Sequence, residues 1–329
     1  MSGTLSLRRG TVTAVTERLD GLVRLEVDER PCIAYPRLTG PVALGDEVVV
    51  NVQALELGLG SGGFDLVYVN LTRGLDLPAE PGAHVMKLPY TPLQHAVRHA
   101  EEEIELLDDL AGMPVVCCSL HSQVAPACAG LGRGPRIGYV QLPGGALPVS
   151  LSDTVRALRG HDLVEVTIGV GPCFDGDVAC VSTASALAWA AEQGFDAVVC
   201  AVGPGIVGTA SPWGHGGLAA AEAVVAARSL GGKAVLAVRY SGADVRDRHR
   251  GLSHHTRAVL TLVGKAEVGW PSGLEQPEGL GPVNEIDVSG WEEACAGLPL
   301  SHMGRGPAED PSFFAAAFAA GRLARALLG

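Results

Sequence analysis

From about residue 90 onward, short apolar runs alternate with helical patterns. "MPVVCCSL", "RIGYVQL", "LVEVTIGV", "DAVVCAVG" and "KAVLAVRYS" are the apolar runs. Between them lie "SQVAPACAGL", "SLSDTVRALRGH", "STASALAWAAEQG" and "GGLAAAEAVVAARSLGG", which read as helices. A strand that is apolar at nearly every position needs cover on both faces, and the crossover helices of βαβ units supply it. Right-handed crossovers then give a doubly wound, mostly parallel sheet. Few other folds accept this pattern.

The flanks of that pattern carry their own expectations. "LQHAVRHAEEEIELLDDLAG" predicts a helix that stops at Gly112. Pro126 is expected to interrupt the short helix in "SQVAPACAGL". "RAVLTLVGKAEVGWP" and "VNEIDV" predict edge strands that extend the sheet, and residues 271–282 a surface loop. The closing helix starts near "DPSFF", with Asp310 at the N-cap and Pro311 in the first position.

Residues 1–85 differ. "TVTAVTERL", "LVRLEVDE", "PCIAYPRL", "DEVVVNVQAL" and "FDLVYVNL" are β-branched or alternating runs separated by Gly, Pro and Asp turns. They predict a small all-β domain, a barrel or sandwich, ahead of an α/β Rossmann-like domain over 86–329. The glycine-rich run 57–63 lacks a Lys and a following helix, so it is read as a β-turn and not a P-loop.

Charge narrows the partners. Lys plus Arg is 24 against 36 for Asp plus Glu, a net charge of −12. That balance has no electrostatic footprint for nucleic acid and none for an anionic membrane. The eight cysteines form no CxxC pair, and several sit inside apolar runs, as buried thiols of a reducing compartment do. With no signal-peptide core and no uncharged span of membrane length, the expectation is a cytoplasmic protein. The apolar helices permit a homodimer without requiring one.

In an open parallel sheet, ligands bind outside the carboxyl ends of the strands. Four loops there carry concentrated polar chemistry. "HSQ" follows the first α/β strand and supplies His121. "GPCFDGD" supplies Asp175 and Asp177, two apart, a spacing at which carboxylates share a divalent metal or cap a helix. "GPGIVGTASPWGHGG" places Gly203, Gly205 and Gly208 in a G-x-G-x-x-G pattern, with Thr209 after it. Pro204 removes one donor, and no acidic residue ends the next strand, so a dinucleotide is discounted. Two readings stand, an anion cradle or a tight turn that needs glycine. "GADVRDRHRGLSHHT" holds Arg248 and Arg250 for a carboxylate or phosphate, and His254 and His255 for acid–base or metal chemistry. The competing reading is solvated charge with Ser253 capping a helix. His95 and His99, four apart ahead of "EEE", read as a solvated helix face despite their metal-ligand spacing.

Taken together, "HVMKLPYTPLQ", "SLHSQ", "GPCFDGD", "GPGIVGT" and "HRGLSHHT" resemble a bacterial protein family of unknown function, family 3866 of domains of unknown function. The likeness covers nearly the whole chain. It implies a bacterial cytoplasmic protein of one full-length architecture, and it transfers no catalytic role.

Two function classes follow. One is an enzyme acting on a small anionic molecule at the carboxyl edge of the sheet, by metal-assisted hydrolysis or transfer. His121, Asp175, Asp177, His254 and His255 are its catalytic candidates. A divalent metal would sit on Asp175, Asp177 and His255, and the anion on Gly203, Gly205, Gly208, Thr209 and Arg250. The other class is a non-catalytic metabolite-binding or regulatory protein.

Overall fold

The computed structural model describes residues 5–58 and 62–329. The chain falls into two compact units, one up to Arg98 and one from His99 onward. Residues 59–61 of the glycine-rich run 57–63 lie outside the described residues.

The first unit is a closed five-stranded barrel of β1 (Leu7–Leu19), β2 (Leu22–Val27), β3 (Arg30–Ala34), β4 (Glu47–Asn51) and β5 (Asp65–Asn70). Its order is β1-β2-β3-β5-β4, with β3 and β5 parallel and β4 closing onto β1. That is the Greek-key arrangement of an OB-type barrel. Closure leaves no free sheet edge, and alternate residues such as Val12, Leu25, Val48 and Val50 fill the interior. Two single-turn helices, α1 (Pro36–Thr39) and α2 (Gln53–Glu56), decorate it, and β6 (Val85–Lys87) pairs with β7 (His95–Val97).

Here the sequence expectation needs correction. No helix spans 93–112. His95 lies in β7, its Nδ1 3.0 Å from the Leu93 carbonyl, and His99 is buried at the start of a 3-10 turn, Ala100–Glu102. Strand pairing takes the first part of the segment. Asp109 bends the last part by accepting the Ala111 N–H at 2.8 Å, a local bond that competes with helix.

The second unit is built on six parallel strands: β8 (Pro114–Cys118), β9 (Ile137–Leu142), β10 (Val166–Val170), β11 (Val178–Cys180), β12 (Ala197–Val202) and β13 (Lys233–Ala237). Their order is β11-β10-β9-β12-β8-β13. The helices are α3 (Val124–Leu131), α4 (Asp153–Gly160), α5 (Thr183–Glu192), α6 (Ala219–Ser229), α7 (His254–Val263), α8 (Trp291–Ala294) and α9 (Pro311–Ala326). Strand side chains divide by parity. Val115, Cys117 and Cys200 pack with α5, α6 and α7, while Val116, Cys118 and Val199 pack with α3, α4 and α9. All eight cysteines are free and buried.

Pro126 does not interrupt α3. It is the third helical residue, where its missing N–H would have had no partner inside the helix. "RAVLTLV" is helical and belongs to α7, with Ser253 at its N-cap accepting the His255 N–H. The expected edge strands form a separate two-stranded sheet, β16 (Gly269–Pro271) with β17 (Asn284–Ile286). A short ladder of β14 (Tyr240–Ser241) and β15 (Gly251–Leu252) precedes α7. No helix among the described residues is long and apolar enough to cross a membrane.

The helices after β8 and β9 pack on one face and those after β11 and β12 on the other. β12 lies between β9 and β8, so its carboxyl end is the switch point where a doubly wound sheet opens a crevice.

Candidate functional site

The loop 242–250 leaves the sheet after β14 and returns through β15. The Arg239 carbonyl accepts the Ser253 N–H at 3.0 Å, and the Arg239 N–H donates to Thr256 Oγ1 at 2.9 Å. The strand exit and the start of α7 are thereby tied together, which brings His254 and His255 beside Arg239. His215 arrives from the loop after β12. A hairpin closes there, with Gly208 bridged to His215 and Thr209 N–H bonded to the Gly214 carbonyl at 2.7 Å.

The result is a histidine cluster. His215 and His255 stack at 3.7 Å between ring centroids, and His254 lies 5.4 Å from His215 and 4.6 Å from His255. One ring nitrogen from each falls within 4.8 Å of the others. His249 packs against His254 and His255 at 4.7 and 5.0 Å, with Nδ1 2.8 Å from Ser253 Oγ.

Arg239 anchors this cluster. Its side chain is only 3% exposed. Nη1 donates to His255 Nδ1 at 3.1 Å, Nη2 lies 3.7 Å from Asp244 Oδ2, and Nε has no partner among the described residues. Asp244 is fully buried but spoken for, bonded to Arg246 at 2.7 Å and Arg305 at 3.2 Å. Arg305 also reaches Asp310, which accepts from Ser241 and the Gly242 N–H. Asp310 thus occupies the N-cap position of α9 while its carboxylate serves the loop.

Burial and cationic neighbours keep these rings neutral. Burial, then Arg239, holds His249 down to about 3. Burial, then His215 and Arg239, holds His254 at about 4. His255 is depressed further by burial and by Arg239, and His215 is lowered chiefly by burial. Burial in turn lowers Arg239 to about 9, where it still carries its charge at neutral pH.

The remaining sequence candidates are distributed around this centre. His121 stands at the crevice but is saturated, Nδ1 3.2 Å from the Val202 carbonyl and Nε2 2.6 Å from Ser152 Oγ. Asp175 accepts from Ser150 Oγ at 2.5 Å and is not part of the histidine group. Asp177 departs from the expected edge. The chain doubles back along β10, so Asp177 sits beside Thr167, near the amino end of that strand, paired with Arg159 at 2.8 Å. The loop glycines do not open a helix, since α6 begins only at Ala219. Gly205 supplies a left-handed turn (φ +68°), and a Cβ on Gly203 would meet the Ala146 carbonyl oxygen at 2.1 Å. Thr209 Oγ1 donates to the Gly214 carbonyl at 3.1 Å. Arg250 lies at the exposed rim, its Nε on the Asp244 carbonyl.

A family model described as "Protein of unknown function (DUF3866)" matches residues 31–321. The chain belongs to this family. No curated protein matches it. In this DUF3866 member the best-assembled polar site therefore rests on two residues the motif reading passed over, His215 and Arg239. Arg239 did leave a trace in the sequence, as a lone charge closing the apolar run "AVLAVRYS". His215 sits between glycines in "GHGG", a context that marks loop and not ligand.

Proposed function

We propose that this chain binds a small anionic molecule at the carboxyl edge of its parallel sheet and acts on it by acid–base chemistry. His215, His254 and His255 face the reacting group, and Arg239 holds the anion. One observation carries the reading: a buried guanidinium with an unpartnered Nε beside a cluster of neutral imidazoles. Buried donors without partners are costly, and an anionic ligand relieves that cost. Arg246, Arg248, Arg250 and Arg305 add positive potential, which favours an anion over a bare cation.

The metal-assisted form of this reading would now use His215, His254 and His255 in place of Asp175 and Asp177. The arrangement resists it. Imidazole lone pairs lie in the ring plane, and planes stacked 3.7 Å apart at 11° do not converge on one ion. A ligating histidine also donates its other N–H to an acceptor, whereas His255 Nδ1 faces the donor Arg239. The second reading, a non-catalytic metabolite-binding protein, is favoured by the low basicity of His249 and His254.

Calorimetry with inorganic phosphate and with acetate tests binding. Saturable heat with either, lost in Arg239→Met, supports the reading. Absence of binding by both would remove it. Turnover of small phosphate esters or carboxylates that His254→Gln abolishes would separate enzyme from binding protein.

A further inference from the structure

A guanidinium has only donors, so the contact between Arg239 Nη1 and His255 Nδ1 has one possible polarity. Nδ1 must accept. The neutral ring then carries its proton on Nε2, and it has no free site at which to become imidazolium while Arg239 remains in place. The Arg239 side chain is held from several directions, by Asp244 at Nη2, by His255 at Nη1 and by its own backbone bonds to Thr256 and Ser253. His255 is equally constrained. Its N–H caps onto Ser253, and its ring lies against His215, His249 and His254. No hydrogen bond to His255 Nε2 is present among the described residues.

Resting on the reading of this edge as an anion site, we propose that Arg239 is a positioning residue that fixes His255 as the neutral, Nε2-protonated imidazole, and that His255 donates from that nitrogen to the substrate oxygen on which negative charge develops. The substrate class is then a small anionic carbonyl or phosphoryl compound, since those are the groups that build charge on oxygen during reaction. A neutral imidazole serves as an electrophile in such chemistry by strengthening its hydrogen bond as the charge grows. The ring gives up no proton, so nothing has to be returned to it. Proton transfer falls to another group, and His254, whose Nε2 is also unpartnered, is placed to provide it.

The arrangement also has a consequence for pH. The charged or titratable groups against His255 are Arg239, His215, His254 and His249, and none is a carboxylate. Nothing beside the ring rewards its protonation.

The test is direct and needs no substrate. Full-length protein labelled with ¹⁵N-histidine reports the tautomer of each ring by long-range proton–nitrogen correlation. The expected spectrum has His255 as the Nε2–H form, unchanged between about pH 5 and pH 8. Arg239→Met should release it to a mixture of tautomers that titrates, and Arg239→Lys, which keeps a donor, should restore the fixed form. A wild-type His255 that carries its proton on Nδ1, or that titrates near pH 6.5, overturns the proposal even if the Arg239 variants fail to fold. Inorganic phosphate added to the wild type should shift the His255 Nε2–H resonance. Calorimetric binding of phosphate without that shift overturns the donor role and leaves the anion reading intact. No binding and no shift at any histidine removes the anion reading and the donor role with it, while the tautomer lock is still judged by the spectrum alone.

Discussion

The barrel and the α/β unit each bury a carboxylate–arginine network, and the two networks are finished differently. In the barrel, Asp46 accepts from the Ala43 N–H, from Asn70 Nδ2 and from Arg73 through both Nε and Nη2, all between 2.6 and 2.9 Å. Every strong group has its partner inside the protein. The barrel's looser pair, buried Asp65 with Arg30 at 3.4 Å and Arg8 at 3.8 Å, leaves both Asp65 oxygens and Arg8 Nε and Nη2 without hydrogen bonds among the described residues, but it sets opposite charges against each other. In the α/β unit, Asp244 is satisfied while Arg239 next to it is not. Its other neighbours are histidines and further arginines. The Asp46 network closes upon itself. The open Nε of Arg239, beside neutral imidazoles and a carboxylate already shared by Arg246 and Arg305, is the feature on which the proposed anion site rests.

The largest effect expected from breaking this contrast lies in the barrel. Asp46→Ala removes the buried acceptor of four donor groups, leaving Asn70 Nδ2 with only the Pro41 carbonyl and Arg73 without its ion-pair partner, at a cost of about 3 kcal/mol. Denaturant unfolding should show that loss, with phosphate binding by the folded protein unaltered. Arg239→Met should do the reverse. Asp244 keeps Arg246 and Arg305, so unfolding free energy changes little, whereas phosphate affinity falls about 100-fold, the worth of one or two charge-assisted bonds. Calorimetry on both variants reads the contrast. Equal loss of stability in both would mean that Arg239 is a structural group like Asp46.

Acid separates the two units next. A histidine whose folded pKa lies below its unfolded value binds protons more readily in the unfolded chain, so acid drives unfolding. His302 is held at about 3 by burial and by Arg239 and Arg305, His249 at about 3, and His254 and His121 at about 4. Their stabilisation is complete above about pH 6.5 and is lost as pH falls from there toward 3–4, each pKa unit being worth about 1.4 kcal/mol for a well-buried ring. Asp46 acts in the same sense but over a lower pH window. Burial opposes its charge, but Arg73 and Asn70 prevail and lower its pKa below 3.8, so its contribution persists until pH drops under that value. Amide exchange followed between pH 7 and pH 4 should therefore show the α/β unit opening first. Simultaneous loss of protection in both units would contradict this assignment.

The fold was largely legible because burial on two faces leaves a coarse signature. Five of the six sheet strands read as unbroken apolar runs, and the barrel's strands as alternation between turns. The segment 93–112 was not legible, because an amphipathic charge pattern says nothing of the strand partner at Val85–Lys87 or of the Asp109 turn. "RAVLTLV" has strand-like β-branching, yet Ser253 ahead of it is a helix cap, and the cap decides. The site was legible in outline only. His254 and His255 were visible as a pair in the loop region after β13, and they open α7 there. The rule of carboxyl ends misplaces Asp177, because a loop that doubles back along its own strand leaves the edge it started from.

The smallest predicted effect sharpens the comparison at that residue. Asp177 is exposed and half of a surface pair with Arg159, whose side chains are 35% and 42% exposed, and it also accepts from the Thr167 N–H at 2.8 Å and from Thr167 Oγ1. Pairs of that kind contribute about 0–1 kcal/mol. Asp177→Asn keeps an acceptor for Thr167 and loses only the ion pair, so thermal unfolding should shift by a degree or two at most, and phosphate affinity should stay within about twofold of wild type. If Asp177→Asn instead abolishes phosphate or divalent-metal binding, the ligand lies on the acidic loop after β10. The unpartnered donors of Arg239 and the histidines would then need another explanation.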